Sequence, residues 1–340
     1  MPPAPPLALE LTLPGLVPEE EEVWTTALPR LPALRRLLAR AQHTTVACEH
    51  IPACFLASFG VSMQPDWPAA PFSRLGDGAD PDEHIWLVAD PVCLFAQASG
   101  LLLIDSRPLS LSDSEASALV AAVNEHFAPI GLTLSAPHPQ RWYLRVPRAL
   151  QLRTTPTDAA RGNSVDALLP QGADALLVHG WANEIQMLLH EHPINVAREA
   201  RGAPPVNSLW LWGAGRLVQP QPPALASVWT ADPLLRGLAR ASGLRVFASP
   251  AGGDAWMAHA QPGQHAVLLE HAEAASSANW YEYADRLERQ WFAPLLAALA
   301  ARRLRQVTLA THRRGQMLRF STTPGDLWKV WRQRIDLAHG

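Results

Sequence analysis

Lysine is almost missing from this sequence: Lys329 is the only one among the 28 basic residues of a 340-residue chain. Charged residues amount to 17%, and 28 basic against 31 acidic side chains leave a net charge of −3. A chain without a basic excess has no overall field for a polyanion, which argues against a dedicated nucleic-acid binder. Cysteine is scarce too, with Cys48, Cys54 and Cys93 alone. Three is no disulfide framework, and five residues between the first two is the wrong spacing for a CxxC pair, so buried, reduced thiols are expected. The first residues lack a basic n-region and carry the acidic run Glu19–Glu22, so no signal peptide is expected. No apolar run approaches the roughly 20 residues that span a bilayer. The expectation is a cytoplasmic protein with neither a membrane nor a nucleic acid as partner. A GxSxG elbow and a Walker loop are also missing, and no serine or cysteine has a locally paired base.

What is present is apolar bulk. Apolar residues make up 48% of the chain, enough for a sizeable core spread over two domains or one large α/β core with an insertion. Leu7, Leu9, Leu11 and Leu13 alternate as in a strand, and LPALRRLLARAQ puts Leu31, Leu34, Leu37 and Leu38 on one helical face. Residues 62–83 are rich in Pro, Gly and Asp and read as a long connection. From His84 the texture changes. IWLVADPVCLFAQ and LLLID are strand-like, and Ser112 with Glu115 has capping-box spacing before a helix marked by Leu119, Val123 and Phe127. TLSAPHPQRWYLRV reads as one more strand, completing β-β-α-β. WANEIQMLLHEHPINVAREARG reads as one helix and SLWLWGAG as a buried strand. Strands then alternate with helices to about residue 311, which predicts a mostly parallel sheet. The expected division is 1–83 as the first part of an α/β core, 84–150 as an α+β cap and 151–340 as the rest of the core.

The densest polar constellation is HPINVAREARGAPPVNSLWLWGAG. Asn195, Arg198 and Glu199 lie three and four residues apart on a helix and so lie near one another. Arg198 and Arg201 beside a strand-to-loop crossing suit a carboxylate or phosphate, which a guanidinium grips with two parallel donors. They equally suit a plain surface helix end. Gly213 and Gly215 fall short of GxGxxG, because Val218 stands where the third glycine belongs. His312, Arg313 and Arg314, with Arg302, Arg303, Arg305 and Arg319 nearby in sequence, form a basic cluster free of acid between 301 and 325. It fits an anion site at strand ends or a solvated helix end. His190 and His192 share no helical face with each other and lack HExxH geometry, so a capping role before Pro193 is expected.

HPINVAREARGAPPVNSLWLWGAG, continuing through ADPLLRGLARASGLRVFASPAGG, resembles the archaeal-type cofactor-independent phosphoglycerate mutases. ACFLASFGV with PFSRLGDG, and the stretch from VADPVCLFAQ to HPQRWYLRV, are similar to other parts of that family. End to end, the chain also looks like a bacterial family labelled RpfE-type regulatory protein. The resemblance implies an alkaline-phosphatase-like, mostly parallel α/β sheet with helices on both faces and an inserted α+β cap. It further implies two divalent metals, Mn or Mg, and a transiently phosphorylated serine. At the matching positions this chain departs from the pattern. Pro14 and Gly15 stand at the first acidic ligand, and Ile51 replaces the serine. Ala272 and Ser276 replace an Asp and a His while Glu273 matches, and the late Asp-His pair reads Thr311–His312.

Two closely held divalent ions need several carboxylates and imidazoles. The expectation is therefore a catalytically degenerate, phosphoglycerate-mutase-like protein with no catalytic residue, no metal ligand and no cofactor. It would bind a small anionic or phosphorylated metabolite, or serve a regulatory protein partner. Asn195, Arg198 and Arg201 would hold the anion, with Arg141 and His312 assisting; Asn207 would orient the loop, and Gly213 and Gly215 would admit the ligand. One alternative is an active Mn- or Mg-dependent mutase or phosphohydrolase with relocated ligands among Asp254, His259, His265, Glu270, His271, Glu273 and His312. A further alternative is an interaction scaffold using Glu19–Glu22 or the basic tail.

Overall fold

The computed structural model describes residues 7–16, 31–80, 82–97, 100–161, 164–221, 223–269 and 277–329. The Glu19–Glu22 run and the alternative ligands Glu270, His271 and Glu273 lie outside the described residues. The chain folds as two compact units. Met1–Cys54, Pro222–Asp232 and Ser242–Gly340 form the first, Phe55–Gln221 and Pro233–Ala241 the second.

The first unit opens with β1 (Leu7–Thr12), α1 (Pro32–Leu38) and β2 (Gln42–Ala47). Helix α2 (Ile51–Ser58) carries the chain into the second unit. There follow α3 (Ala69–Gly76), β3 (Ile85–Gln97), β4 (Gly100–Ile104), α4 (Ser106–Leu109) and α5 (Asp113–Phe127). Strands β5 (Thr133–His138) and β6 (Arg141–Val146) lead to α6 (Thr157–Ala160), α7 (Ala175–His190), α8 (Pro193–Ala200) and β7 (Ser208–Gly215). The chain then returns to the first unit with β8 (Ser227–Trp229) and lends α9 (Pro233–Ala241) to the second. It ends in the first with β9 (Arg245–Phe247), α10 (Gly253–His259), β10 (Gln264–Leu268), α11 (Ser277–Leu287), α12 (Ala293–Ala300), β11 (Leu304–Arg313) and β12 (Gln316–Thr322). A π-helical turn, Glu288–Phe292, joins α11 to α12.

The sheet of the first unit runs β2-β12-β11-β1-β10-β8-β9. β1 is its centre, parallel to β10 on one side and β11 on the other, with Leu11 opposite both Val267 and Leu309. Leu9, Leu11 and Leu13 are buried, and so are Ala8 and Thr12 of the alternate set. Burial of both alternating sets marks a strand covered on both faces, as parallel sheets require. β8 and β9 extend the parallel run, while β12 returns antiparallel to β11 and β2 closes that edge. The core brings Trp256, Trp280, Trp291 and Phe292 against the leucines of β1, α1 and α12.

The second unit is built on an antiparallel sheet in which thirteen-residue β3 pairs with β4, β6 and β7. Three local expectations change here. TLSAPHPQRWYLRV is a hairpin, β5 and β6, because Pro139 and Gln140 turn the chain; β5 and β6 pair antiparallel. The helix expected across HEHPIN is two helices, since Pro193 lacks the N–H to continue α7 and instead starts α8. SLWLWGAG, expected to join the alternation of a parallel sheet, runs antiparallel beside β3. The capping box holds: Ser112 Oγ accepts from Glu115 N–H at 3.2 Å, and Glu115 Oε2 accepts from Ser112 N–H at 2.9 Å.

The cysteine expectation is corrected. Cys48 and Cys54 form a disulfide, with Cα atoms 5.7 Å apart, while Cys93 is free and buried. The turn between β2 and α2 folds residue 54 back over residue 48, so proximity comes from the loop and not from a CxxC spacing. Among the described residues no helix is long and apolar enough to cross a membrane.

Helices α3 and α9 touch backbone to backbone. A Cβ on Gly76 would lie 1.8 Å from the Pro233 carbonyl oxygen, and one on Gly237 1.7 Å from that of Phe72. Neither neighbour is a movable side chain, so the helices would have to separate. Gly237→Ala is expected to lower stability by about 3 kcal/mol in urea denaturation; an unchanged midpoint would contradict this contact.

Candidate functional site

The constellation around Asn195 lies in the second unit, and its polar groups meet backbone. The Asn195 amide donates to the carbonyls of Leu189 and Val206 at 2.7 and 2.8 Å, and its oxygen accepts from Val206 N–H at 2.9 Å. It ties the end of α7 to the approach of β7. Arg198 is 1% exposed. Its Nε donates to Pro204 O at 2.9 Å, one terminal nitrogen to Glu115 Oε1 at 3.0 Å and the other to Leu109 O. Arg201 reaches the same Glu115 oxygen at 2.5 Å but has a side chain 55% exposed. The two arginines expected to hold an anion therefore meet on a carboxylate that the chain itself supplies, while Asn195 bonds backbone. Burial pushes the Glu115 carboxyl up, but the hydrogen bonds from Ser112 N–H, Arg201, Arg198 and the Ser112 hydroxyl outweigh it and hold it at about 2.

The remaining expected ligands also have partners within the protein. Asn207 accepts from Leu94 N–H and donates to Leu94 O, both at 2.7 Å, as a strand neighbour would. Gly213, at φ 68°, donates its N–H to Thr154 Oγ1 at 2.8 Å. A Cβ there would lie 2.9 Å from that of Ala69, and one on Gly215 2.4 Å from that of Pro68, so residues 68 and 69 fill the space expected for a ligand. Arg141 grips Asp77 through Nε at 3.1 and 3.0 Å and a terminal nitrogen at 2.9 Å, and Tyr143 adds its hydroxyl at 2.8 Å. His312 belongs to the first unit, where its Nε2–H donates to Cys48 O at 3.0 Å.

Asp90 was not singled out by the sequence. It sits in β3, and its Oδ2 accepts from Trp212 Nε1 at 2.9 Å and from the Thr157 hydroxyl. Burial pushes its carboxyl up to about 6 against those two hydrogen bonds, and the charges of Asp158 and Asp105 push the same way. Its partners are 67 and 122 residues away in sequence, beyond any local pattern.

In the first unit, the carboxyl ends of the parallel strands are where open α/β sheets bind ligands. The described ends of β1, β8, β10 and β11 offer the hydroxyls of Thr12, Thr230 and Thr311, the carboxylate of Asp232, the committed imidazole of His312 and the cation of Arg313. Thr311 is fully buried, and among the described residues its hydroxyl has no hydrogen-bond partner. Neutral hydroxyls beside a guanidinium do not suit a pair of divalent cations, which need anionic oxygen and free imidazole. Among the described residues no three His, Cys, Asp or Glu side chains are grouped to hold a metal ion.

The relocated-ligand alternative is not assembled by the described histidines. His265 is buried, its Nε2–H donating to Gln261 O at 2.6 Å and its Nδ1 accepting from the Ser227 hydroxyl at 2.7 Å. Trp229 Nε1 in turn donates to Ser227 Oγ at 2.8 Å. His259 is turned back on Ala255 O at 2.9 Å, and Asp254 opens α10. The basic cluster of 302–319 is divided by its own strand: ten-residue β11 separates Arg302 and Arg303 from Arg313 and Arg314, and Arg319 pairs with Glu10 at 2.8 Å. His192 does cap α8, its Nδ1 accepting from Ile194 N–H at 3.2 Å.

These features define a mixed α/β protein of alkaline-phosphatase-like fold, with a mostly parallel sheet. The PH0037 protein from Pyrococcus horikoshii has this fold: TM-score 0.58, 15% identity, over 98% of this chain and 92% of that one. No family model matches the chain. In sequence, it is 33% identical over 103 residues to the 2,3-bisphosphoglycerate-independent phosphoglycerate mutase of Methanothrix thermoacetophila, covering 28% of this chain and 26% of that enzyme. To the enzyme of the same name from Methanosarcina acetivorans it is 31% identical over 101 residues, 28% of this chain and 25% of that one. The chain thus matches about a quarter of the length of these relatives. The likeness corrects the expectation of no cofactor. The relatives carry the name of a mutase class that works with Mn or Mg, since a divalent cation offsets the charge of a phosphoryl group in transfer.

Two predictions follow from the second unit's charged groups. Arg198→Ala leaves Glu115 and two carbonyls without their buried donor and is expected to cost about 3–5 kcal/mol. Arg201→Ala removes a half-solvated ion pair and should cost at most about 1 kcal/mol. Equal losses in urea denaturation would contradict the assignment. Asp90 keeps its proton in the fold between pH 3.8, its ordinary value, and about 6. There the folded state binds more protons than the unfolded, so stability falls as pH rises through that window. Asp90→Asn retains a carbonyl for Thr157 and Trp212 and should remove about 3 kcal/mol of that decline; a variant whose pH profile parallels the parent would rule it out.

Proposed function

We propose that this chain is a phosphoglycerate-mutase-like protein that has lost phosphoryl transfer and acts as a regulatory protein responding to a small anionic or phosphorylated metabolite. The observation that carries this is Ile51 at the first position of α2, where the resemblance expects a serine that accepts the phosphoryl group. A branched hydrocarbon has no lone pair with which to attack phosphorus. The ring of His50 in the same turn is engaged as well, its Nδ1 accepting from Ala53 N–H at 3.1 Å. Thr311 supports the same reading, because it stands where the resemblance expects the aspartate of an Asp-His pair.

For the anion, the end of β11 is the candidate, because the fully buried Thr311 hydroxyl there has no hydrogen-bond partner among the described residues. Each of the three guanidinium nitrogens of Arg198 is already bound. Thr311 and Arg313 stand two residues apart on the same face of β11, which sets a guanidinium beside that hydroxyl, and the two groups suit a phosphate or carboxylate. A second reading, an active mutase with relocated ligands, is favoured by the likeness to enzymes of that name.

Conversion of 3-phosphoglycerate to 2-phosphoglycerate, measured with Mn²⁺ and in parallel with EDTA, separates the two. The proposal expects no turnover in either, and chelator-sensitive turnover would establish the second reading instead. With 3-phosphoglycerate at a hundredfold excess over its Kd, thermal unfolding should report about 2.7 kcal/mol of stabilisation. Arg313→Gln should remove that stabilisation. If neither 3-phosphoglycerate nor inorganic phosphate stabilises the parent protein, the anion is the wrong ligand.

A further inference from the structure

We propose that the Cys48–Cys54 disulfide is a reversible redox modification site, a latch on the turn between β2 and α2 that a dithiol opens. Cys48 is fastened to the β11–β12 hairpin on both sides of its peptide. Its N–H donates to Gly315 O at 2.9 Å, and its carbonyl accepts from His312 Nε2–H at 3.0 Å. Cys54 sits on α2, so the S–S bond joins the start of that helix to the edge of the sheet. Between them, Pro52 can donate no backbone hydrogen bond, Ala53 N–H donates to His50 Nδ1 at 3.1 Å and Cys54 N–H to His50 O at 3.2 Å. The disulfide is thus the covalent tie between the end of β2 and the first turns of α2.

The bond is also placed to be reached. Every residue of β2 is exposed, and both cysteines are only partly buried. Disulfides with accessible sulfurs are the ones that exchange with external thiols, whereas enclosed ones resist. Cys93 offers a contrast within the same chain: it is buried in the second unit, and burial pushes its thiol up. The chemistry closes without a further reactant. One thiolate of the dithiol attacks a sulfur of the pair, the S–S bond breaks, and the departing cysteine takes up a proton. The second thiolate of the reductant then displaces the other cysteine from the mixed disulfide. The protein gains two thiols and the reductant leaves as a disulfide. The latch stands apart from the proposed loss of phosphoryl transfer, and either can fail without the other.

The test uses the full chain purified without reductant. Native alkylation and peptide mapping should find no label on Cys48 or Cys54, label on both after dithiothreitol, and none again after reoxidation with oxidised glutathione. Amide exchange of residues 49–54 should quicken about tenfold on reduction, while β3 and β7 stay as they were. Cys54→Ser should show the fast exchange without any reductant, and Cys48→Ser repeats the test should the first variant fold poorly. Label on both cysteines of the untreated protein would overturn the proposal. So would a bond that dithiothreitol opens only after denaturation, or a reduced protein whose turn exchanges as slowly as before.

Discussion

A guanidinium enclosed in protein has to be matched donor for donor, because an unpaired charge there costs more than most folds can spare. Arg198 meets that constraint with one carboxylate and two carbonyls drawn from three separate stretches of chain: Glu115 at the start of α5, Leu109 at the end of α4 and Pro204 beyond α8. Much of the second unit is arranged around it. Helix α5 must begin where it does for Glu115 to serve both the capping box and the arginine, and α8 must end where Arg201 can share the same oxygen. Asn195 and Asn207 extend the pattern, each amide bonding backbone on a neighbouring segment.

The first unit poses the complementary problem. Its sheet is mostly parallel, as in an alkaline-phosphatase-like fold, yet Pro14 and Gly15, Ile51 and Thr311 stand where the family resemblance expects acids and a serine. A sheet of this kind depends on apolar burial along β1, β10 and β11, and that burial is indifferent to what stands one residue past each strand. Fold and chemistry can therefore part company.

Legibility in the sequence followed the range of the forces involved. The leucine alternation of β1, the amphipathic face of α1 and the capping box of α5 are local patterns, and the structure has them. Two breaks were written in prolines and still missed, at Pro139 and Pro193, because the apolar periodicity on either side ran on through them. The antiparallel setting of β7 could not be seen, since a strand buried on both faces looks the same in either sheet type. Arg198 stood out by residue type, but its partner lay 83 residues away in what looked like a cap alone. The Cys48–Cys54 pairing was hidden for a similar reason, because only the fold of the turn brings the two together.

The central claim is that no side chain in this protein accepts a phosphoryl group where its relatives' fold would have one. Intact-mass measurement after incubation with 3-phosphoglycerate and Mn²⁺, quenched in acid during exposure, addresses it most directly. An unchanged protein mass is the predicted result. A phosphoryl adduct on any residue of the first unit would contradict it and restore a transfer reaction to this fold.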